Sequence, residues 1–340
     1  MRKLRLIPAM LAAAALALPS AALAQDNMKL VVGMPTSPPN VVHMPVFVGI
    51  ALGIYKKYGV DVSTIALDGG VKVYRAMLSG NVDVAMAPAA LTAVGISKGS
   101  KVKAVLGTLD KFEASMVVRG NIKTMAELKG KRIGIQQPGG FADILSRVVL
   151  RHAHVSPKDV HFVTIATEDV PALVADQVDT AILHVEQEML AKSKVPSLHA
   201  IARMWKLAPK QMYDYFDVTD QTIKDKPKAV EAFVKGTIEA TRILYTDKAK
   251  VMPILVKDTG YPEKIVSETY DYLKKECIWN ANSGLAPSRI NFTSKLMEKV
   301  HNIAKGKAPS YDQIVDKTFA AKAIKELGVW KGPVCPSPAF

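Results

Sequence analysis

The sequence predicts an α/β protein of two lobes, each a mixed, mostly parallel sheet flanked by helices, joined by a two-strand hinge. Three observations carry that expectation. Strand-like and helix-like runs alternate from residue 30 to about residue 194, the spacing that builds βαβ units. The segment LSGNVDVAM, starting at Leu78, is echoed ninety-six residues later by VADQVDTAI, starting at Val174. A chain of 340 residues, 49% of them hydrophobic, is long enough to bury two cores.

The elements follow in order. Arg2, Lys3 and Arg5 precede an apolar run from Leu6 to Leu18, and Ala22-Leu23-Ala24 supplies the small-x-small pattern read by signal peptidase. That run is shorter than the roughly 20 residues that span a bilayer, so residues 1–24 are expected to be a cleaved signal peptide. The mature chain is then exported, with no membrane insertion after cleavage. Losing three positive charges lowers the net charge from +14 to +11.

Leu30–Met34 reads as a strand and Met44–Lys57 as a helix closed by Gly59. Asp61–Leu67 is a strand, and Val71–Ser79 a helix stopped by Gly80. Asp83–Ala87 is a strand, Ala89–Ser97 a helix stopped by Gly99, and Lys101–Thr108 a strand again. The order restarts with strands at 115–119, Lys131–Gln136, Val160–Ala166 and Thr180–Leu183. Helices are expected between and after them at Met125–Leu128, Phe141–Arg151, 169–176 and Glu186–Lys194. Beyond Lys206 the strand pattern fades. Helices are expected over 227–245, 247–257, 262–275 and 288–304, separated by Pro227, Pro262 and Pro287. Residues 25–108 with 204–340 are assigned to lobe I, and 109–203 to lobe II.

Composition narrows the function. The 45 Lys and Arg are scattered rather than gathered into a run with aromatics, and export disfavours a nucleic-acid partner. Two cysteines exclude a disulfide-dense scaffold and a multi-cysteine metal protein. In an oxidising compartment Cys277 and Cys335 either close a loop of about 58 residues, worth about 3–4 kcal/mol, or remain unrelated thiols. His152, His154, Asp159 and His161 are spaced too loosely for a metal site. No H-E-x-x-H or P-loop pattern occurs, and Gly95-Ile96-Ser97-Lys98-Gly99 falls at the end of an expected helix rather than at a strand-to-helix elbow, so no catalytic residue, metal or cofactor is assigned.

Ala51-Leu52-Gly53-Ile54-Tyr55-Lys56-Lys57-Tyr58-Gly59-Val60-Asp61-Val62 resembles the opening of periplasmic solute-binding proteins of ABC importers, of the sulfonate, nitrate and thiamine-pyrimidine type. Asp68-Gly69-Gly70, Leu78–Ala85, Leu128–Gly134 and Tyr311–Phe319 match further motifs of that group in the same order, so the similarity covers about residues 28–325. The resemblance implies the type II binding-protein fold, a periplasmic location and a monomer that delivers a small-molecule ligand to an ABC permease and its ATPase. An enzyme of the same fold, the pyrimidine synthase of thiamine biosynthesis, needs a cysteine cluster that this chain lacks. A receptor for a sensor kinase is a further alternative. One departure matters: His184-Val185-Glu186-Gln187-Glu188 stands where relatives often carry Trp-Glu-Pro.

In such a fold the solute sits outside the carboxyl ends of strands, against helix N-termini. The turns that reach this position are Thr36, Ser37, Asn40 and His43 after the first strand, Gly69-Gly70, and Pro88-Ala89. The second lobe supplies Gln136, Gln137, Gly139 and Gly140 before Phe141, then His184 and Glu186. Paired glycines are equally ordinary turn chemistry, and Glu186 equally a favourable first-turn carboxylate. Helix N-termini offer N–H groups and a positive dipole end, which favours a small organic anion such as a sulfonate or carboxylate. The alternative is a neutral heteroaromatic solute, such as a thiamine-related pyrimidine, read by His43, His184 and Glu186.

Overall fold

The computed structural model describes residues 28–109, 111–165, 169–332, 335 and 340, so the expected signal peptide lies outside the described residues. Strands β1 (Met28–Met34), β2 (Val60–Ala66), β3 (Val84–Pro88) and β4 (Val102–Leu109) come first. Next are β5 (Ser115–Val118), β6 (Arg132–Ile135), β7 (His161–Thr164), β8 (Thr180–Leu183), β9 (His199–Arg203) and β10 (Asp214–Thr219). The helices of the first stretch are α1 (Met44–Ala51), α2 (Ile54–Lys57), α3 (Gly70–Leu78) and α4 (Ala89–Ser97). The second stretch holds α5 (Phe141–His152), α6 (Asp169–Val174), α7 (Val185–Lys194) and α8 (Met204–Leu207). The rest carries α9 (Asp220–Asp225), α10 (Pro227–Thr246), α11 (Lys248–Thr259), α12 (Glu263–Lys275), α13 (Pro287–Lys299), α14 (Tyr311–Ile314) and α15 (Thr318–Leu327).

Two five-stranded sheets result, ordered β2-β1-β3-β10-β4 and β7-β6-β8-β5-β9. They share one plan. Three strands in each run parallel, and the fourth in spatial order, β10 or β5, runs antiparallel to both neighbours. The chain passes between the sheets twice, from β4 to β5 and from β9 to β10. The echoed segments occupy equivalent places. Asp83 accepts the Val31 N–H at 2.9 Å and Asp179 the Arg132 N–H at 2.7 Å, so each aspartate fastens its sheet's third strand to the adjoining parallel strand. The C-terminal region joins the first sheet through bridges Ala104–Val315 and Leu109–Trp279.

Two expectations need correction. Met44–Lys57 is two helices rather than one, because Gly53 takes a left-handed conformation (φ 66°) that ends the first and starts the second. The strand pattern does not end near Lys206: β10 is a central strand of the first sheet. Its sequence, Asp-Tyr-Phe-Asp-Val-Thr, hides this with two acidic residues. Asp217 is nevertheless fully buried and accepts the Thr92 hydroxyl at 2.6 Å. Burial, reinforced by Asp214 and only partly offset by Thr92, pushes its carboxyl up to about 8, so the strand interior carries a largely neutral acid at pH 7.

Cys277 and Cys335 are joined in a disulfide, with Cα atoms 5.3 Å apart. The bridge fastens residue 335 to the end of α12.

Candidate ligand-binding site

A cavity of about 110 Å³ lies where the carboxyl ends of the parallel strands in both sheets face each other. Because β10 is antiparallel, its amino end arrives at the carboxyl end of β3, with Asp214 opposite Pro88. Of the turns read from the sequence, Thr36, Ser37, Asn40, His43, Gly69, Gly70 and Pro88 line the cavity from the first sheet. Gln136, Gln137, Gly140, Phe141 and His184 line it from the second. Ala89, Gly139 and Glu186 do not.

Each exclusion has a cause. The Ala89 N–H is spent on the Tyr213 carbonyl at 2.7 Å. The Gly139 N–H is spent on Asp143 Oδ2 at 2.8 Å. Glu186 is fully buried behind the wall, where one carboxylate oxygen accepts Asn40 Nδ2 (2.9 Å) and the Val41 N–H (3.2 Å). It therefore links the turn after β1 to the start of α7, residues that belong to different sheets. Gln137 makes a second link, donating to the Asp68 carbonyl at 3.4 Å. Glycine is required at the facing turn: a Cβ on Gly69, whose φ is 90°, meets Gln137 Nε2 at 2.7 Å. One on Gly70 meets the Pro88 ring at 2.3 Å.

Sequence reasoning missed Asp169, Gln187, Tyr213, Asp214 and Tyr261, all of which line the cavity. Asp214 opens the overlooked strand, Tyr213 directly precedes it, and Tyr261 belongs to the turn between α11 and α12. Aromatic spacing offered no signal, since the rings meet only in the fold. Phe141 stacks on His184 (centroids 5.0 Å apart, planes 5° apart), and Tyr213 lies 5.1 Å from Phe141 and 4.9 Å from Phe112. Together they make a wall of ring faces.

The polar groups concentrate opposite a few atoms. His43 is 1% exposed and neither ring nitrogen has a hydrogen-bond partner among the described residues; its Nε2 stands 3.7 Å from Asp214 Oδ2. Asp214 is 3% exposed, and its other oxygen is likewise unpartnered, as is the Thr36 hydroxyl. Burial holds the Asp214 carboxyl above the usual carboxylate range, with His43 pulling the other way. His184 pairs through Nδ1 with the buried Glu113. Burial alone lowers its pKa, but the Glu113 charge and hydrogen bond outweigh this and raise it to about 9. Among the described residues no Lys or Arg lines the cavity. Among the described residues no three metal-ligating side chains converge, and no helix is long and apolar enough to cross a membrane.

Several backbone N–H groups at these helix starts are committed to the protein itself. Besides Gly139, the Ala142 N–H goes to Gln136 Oε1 at 3.1 Å and the His184 N–H to Gln187 Oε1 at 3.0 Å. The Val41 N–H goes to Glu186. The arrangement can grip a flat ring by its faces and read hydrogen-bonding groups along its edge; its one protonated ring, His184, is already neutralised by Glu113.

Paired sheets of this order, facing across one cavity, define the two-lobed fold of periplasmic binding proteins. The nitrate-binding protein NrtA of Synechocystis matches with a TM-score of 0.75 at 13% identity, over 89% of this chain and 90% of that one. The alkanesulfonate-binding protein SsuA of Xanthomonas axonopodis matches with a TM-score of 0.68 at 17% identity, over 87% and 97%. Residues 40–249 match the family described as NMT1/THI5 like, and the chain belongs to that family. A 4-amino-5-hydroxymethyl-2-methylpyrimidine phosphate synthase of Saccharomyces cerevisiae is 26% identical over 226 residues, 62% of this chain. A binding protein of Brucella abortus is 26% identical over 191 residues, 55% of this chain. The matched regions span 66% and 59% of those relatives' own lengths, under two thirds in each case.

Proposed function

We propose that this protein is the exported solute-binding component of an ABC importer. It closes two lobes around a small, flat, nitrogen-bearing heteroaromatic molecule and delivers it unaltered to a permease and its ATPase. The observation that carries the ligand class is the pairing of a ring-faced wall (Phe141, His184, Tyr213) with buried His43 and Asp214 atoms that lack hydrogen-bond partners among the described residues, in a cavity that no described Lys or Arg lines. An aminopyrimidine edge presents a ring nitrogen beside an exocyclic amine. A carboxyl whose pKa is raised by burial can answer both, as acceptor to the amine and as proton-sharing partner to the ring nitrogen. Membership of a family that includes pyrimidine phosphate synthases supports the same class.

This replaces the small organic anion expected from the sequence. An anion in this cavity meets Asp169 and Asp214, while the His184 imidazolium is already paired with Glu113 and the Gly139 and Ala142 N–H groups are occupied. The lobes are residues 25–108 with 204–340, and 109–203, and closure follows from contacts that both lobes make with one solute. The protein works as a monomer in the periplasm after losing residues 1–24.

The test is thermal unfolding of the mature chain with 4-amino-5-hydroxymethyl-2-methylpyrimidine, methanesulfonate, benzoate and nitrate. The pyrimidine at about 100 times its Kd stabilises the fold by about 2.7 kcal/mol. Stabilisation by the anions alone overturns the ligand class. Mass spectrometry of the recovered pyrimidine shows it unchanged; a converted product overturns the transport role.

A further inference from the structure

A groove of about 320 Å³ continues from the cavity, sharing Ser37, Pro38, Gln187 and Tyr261 with it. Helix periodicity explains its other walls. Val170 and Val174 lie one turn apart on α6. Gln187, Leu190 and Lys194 recur at three- and four-residue spacing on one face of α7. Seven residues at 1.5 Å each carry the trough about 10 Å from the cavity-facing Gln187 to Lys194. The floor is thus apolar and the far end carries an exposed ammonium group.

We infer that this groove is a second subsite, which takes a short aliphatic arm on the bound ring and sets an anionic terminus of that arm at Lys194. The inference rests on the cavity being the ring site. Charge sorts the two ends of such a solute. Asp169 and Asp214 line the cavity, which receives the amine-bearing ring, and its His184 is already paired with Glu113, whereas the one lysine among the described residues on these connected walls stands at the outer end of the groove. Removing the arm from water against Val170, Val174 and Leu190 supplies most of the gain. The exposed Lys194 adds a smaller, salt-sensitive increment.

Calorimetry of the mature chain with three ethers of 4-amino-5-hydroxymethyl-2-methylpyrimidine tests this, with the free alcohol as the ring-only reference. The butyl ether binds about tenfold tighter than the methyl ether, because the added methylenes leave water. The 3-carboxypropyl ether loses about threefold in affinity in Lys194→Ala, and about as much in wild type at 0.5 M salt, while the butyl ether is unaffected by either. Lys194 is exposed, so this variant folds. Equal affinity for all three ethers, with the free alcohol still bound, overturns the groove and leaves the ring site standing. Failure of the free alcohol and of every ether to bind overturns both.

Discussion

The turn before α5 and the amino end of β10 face the same cavity from opposite sheets, and they contribute opposite things. The turn Gln136–Gly140 advertises itself in sequence, with two glutamines, a proline and two glycines ahead of a helix. Its backbone donors are nevertheless consumed at home, by Asp143 and by the side chain of Gln136. The β10 end is silent in sequence, yet it delivers Tyr213 and Asp214, with a buried oxygen that no group among the described residues satisfies. Availability, rather than mere presence, makes a hydrogen-bonding group part of a site. A buried group left unpaired is costly in the free protein and therefore rewarding to a solute that pairs it.

The comparison is broken or sharpened by four measurements. The largest effect is expected at β10: Asp214→Ala weakens binding of the pyrimidine probe about a hundredfold by calorimetry, since it removes a buried hydrogen-bonding partner. An affinity within threefold of wild type removes Asp214 from the site. Next comes pH. Because the folded pKa of His184 is raised to about 9, its stability contribution is complete below about pH 6.5 and is lost as pH rises through about 9. Urea unfolding at pH 6.5 and 9.5 should show a loss of about 3 kcal/mol from His184, which His184→Gln should remove from the profile. Asp217, raised to about 8, adds a loss of the same sign, and Asp217→Asn removes that remainder. A smaller effect is expected at the link between sheets: Glu186→Ala leaves Asn40 and Val41 unpaired and weakens the probe about tenfold. Small-angle scattering should then report a more open average shape. The smallest belongs to the α5 turn. Asp143→Ala, which releases the Gly139 N–H, shifts pyrimidine affinity by less than about threefold, the scale of a partly exposed contact. A hundredfold loss there restores the helix N-terminus as the principal contact.

Much of the fold was legible because hydrophobic period and glycine stops agree locally. Ala89–Ser97 and Thr180–Leu183 form with the limits read from sequence. The echo of Leu78–Met86 in Val174–Ile182 pointed to two similarly built halves, and its aspartates do the same task in each sheet. What stayed hidden was long-range. β10 has little local signature because its acids are neutralised or paired only after burial. Tyr261 reaches the cavity from a helix–helix turn more than seventy residues beyond the last strand-to-helix turn read from sequence. Thr36, His43 and His184 were found because they follow strands directly. Glu186 was placed on the right helix, but its work lies in holding Asn40 and Val41 rather than in facing the cavity.

That last contact joins residues 146 positions apart using protein groups alone. Whatever free energy it contributes favours shutting of the cleft regardless of cargo, so it enlarges neither half of the discrimination between one small molecule and another. Selectivity must then be decided inside the cavity, while the tightness of the shut form is set partly outside it, and evolution or engineering can tune either without disturbing the other.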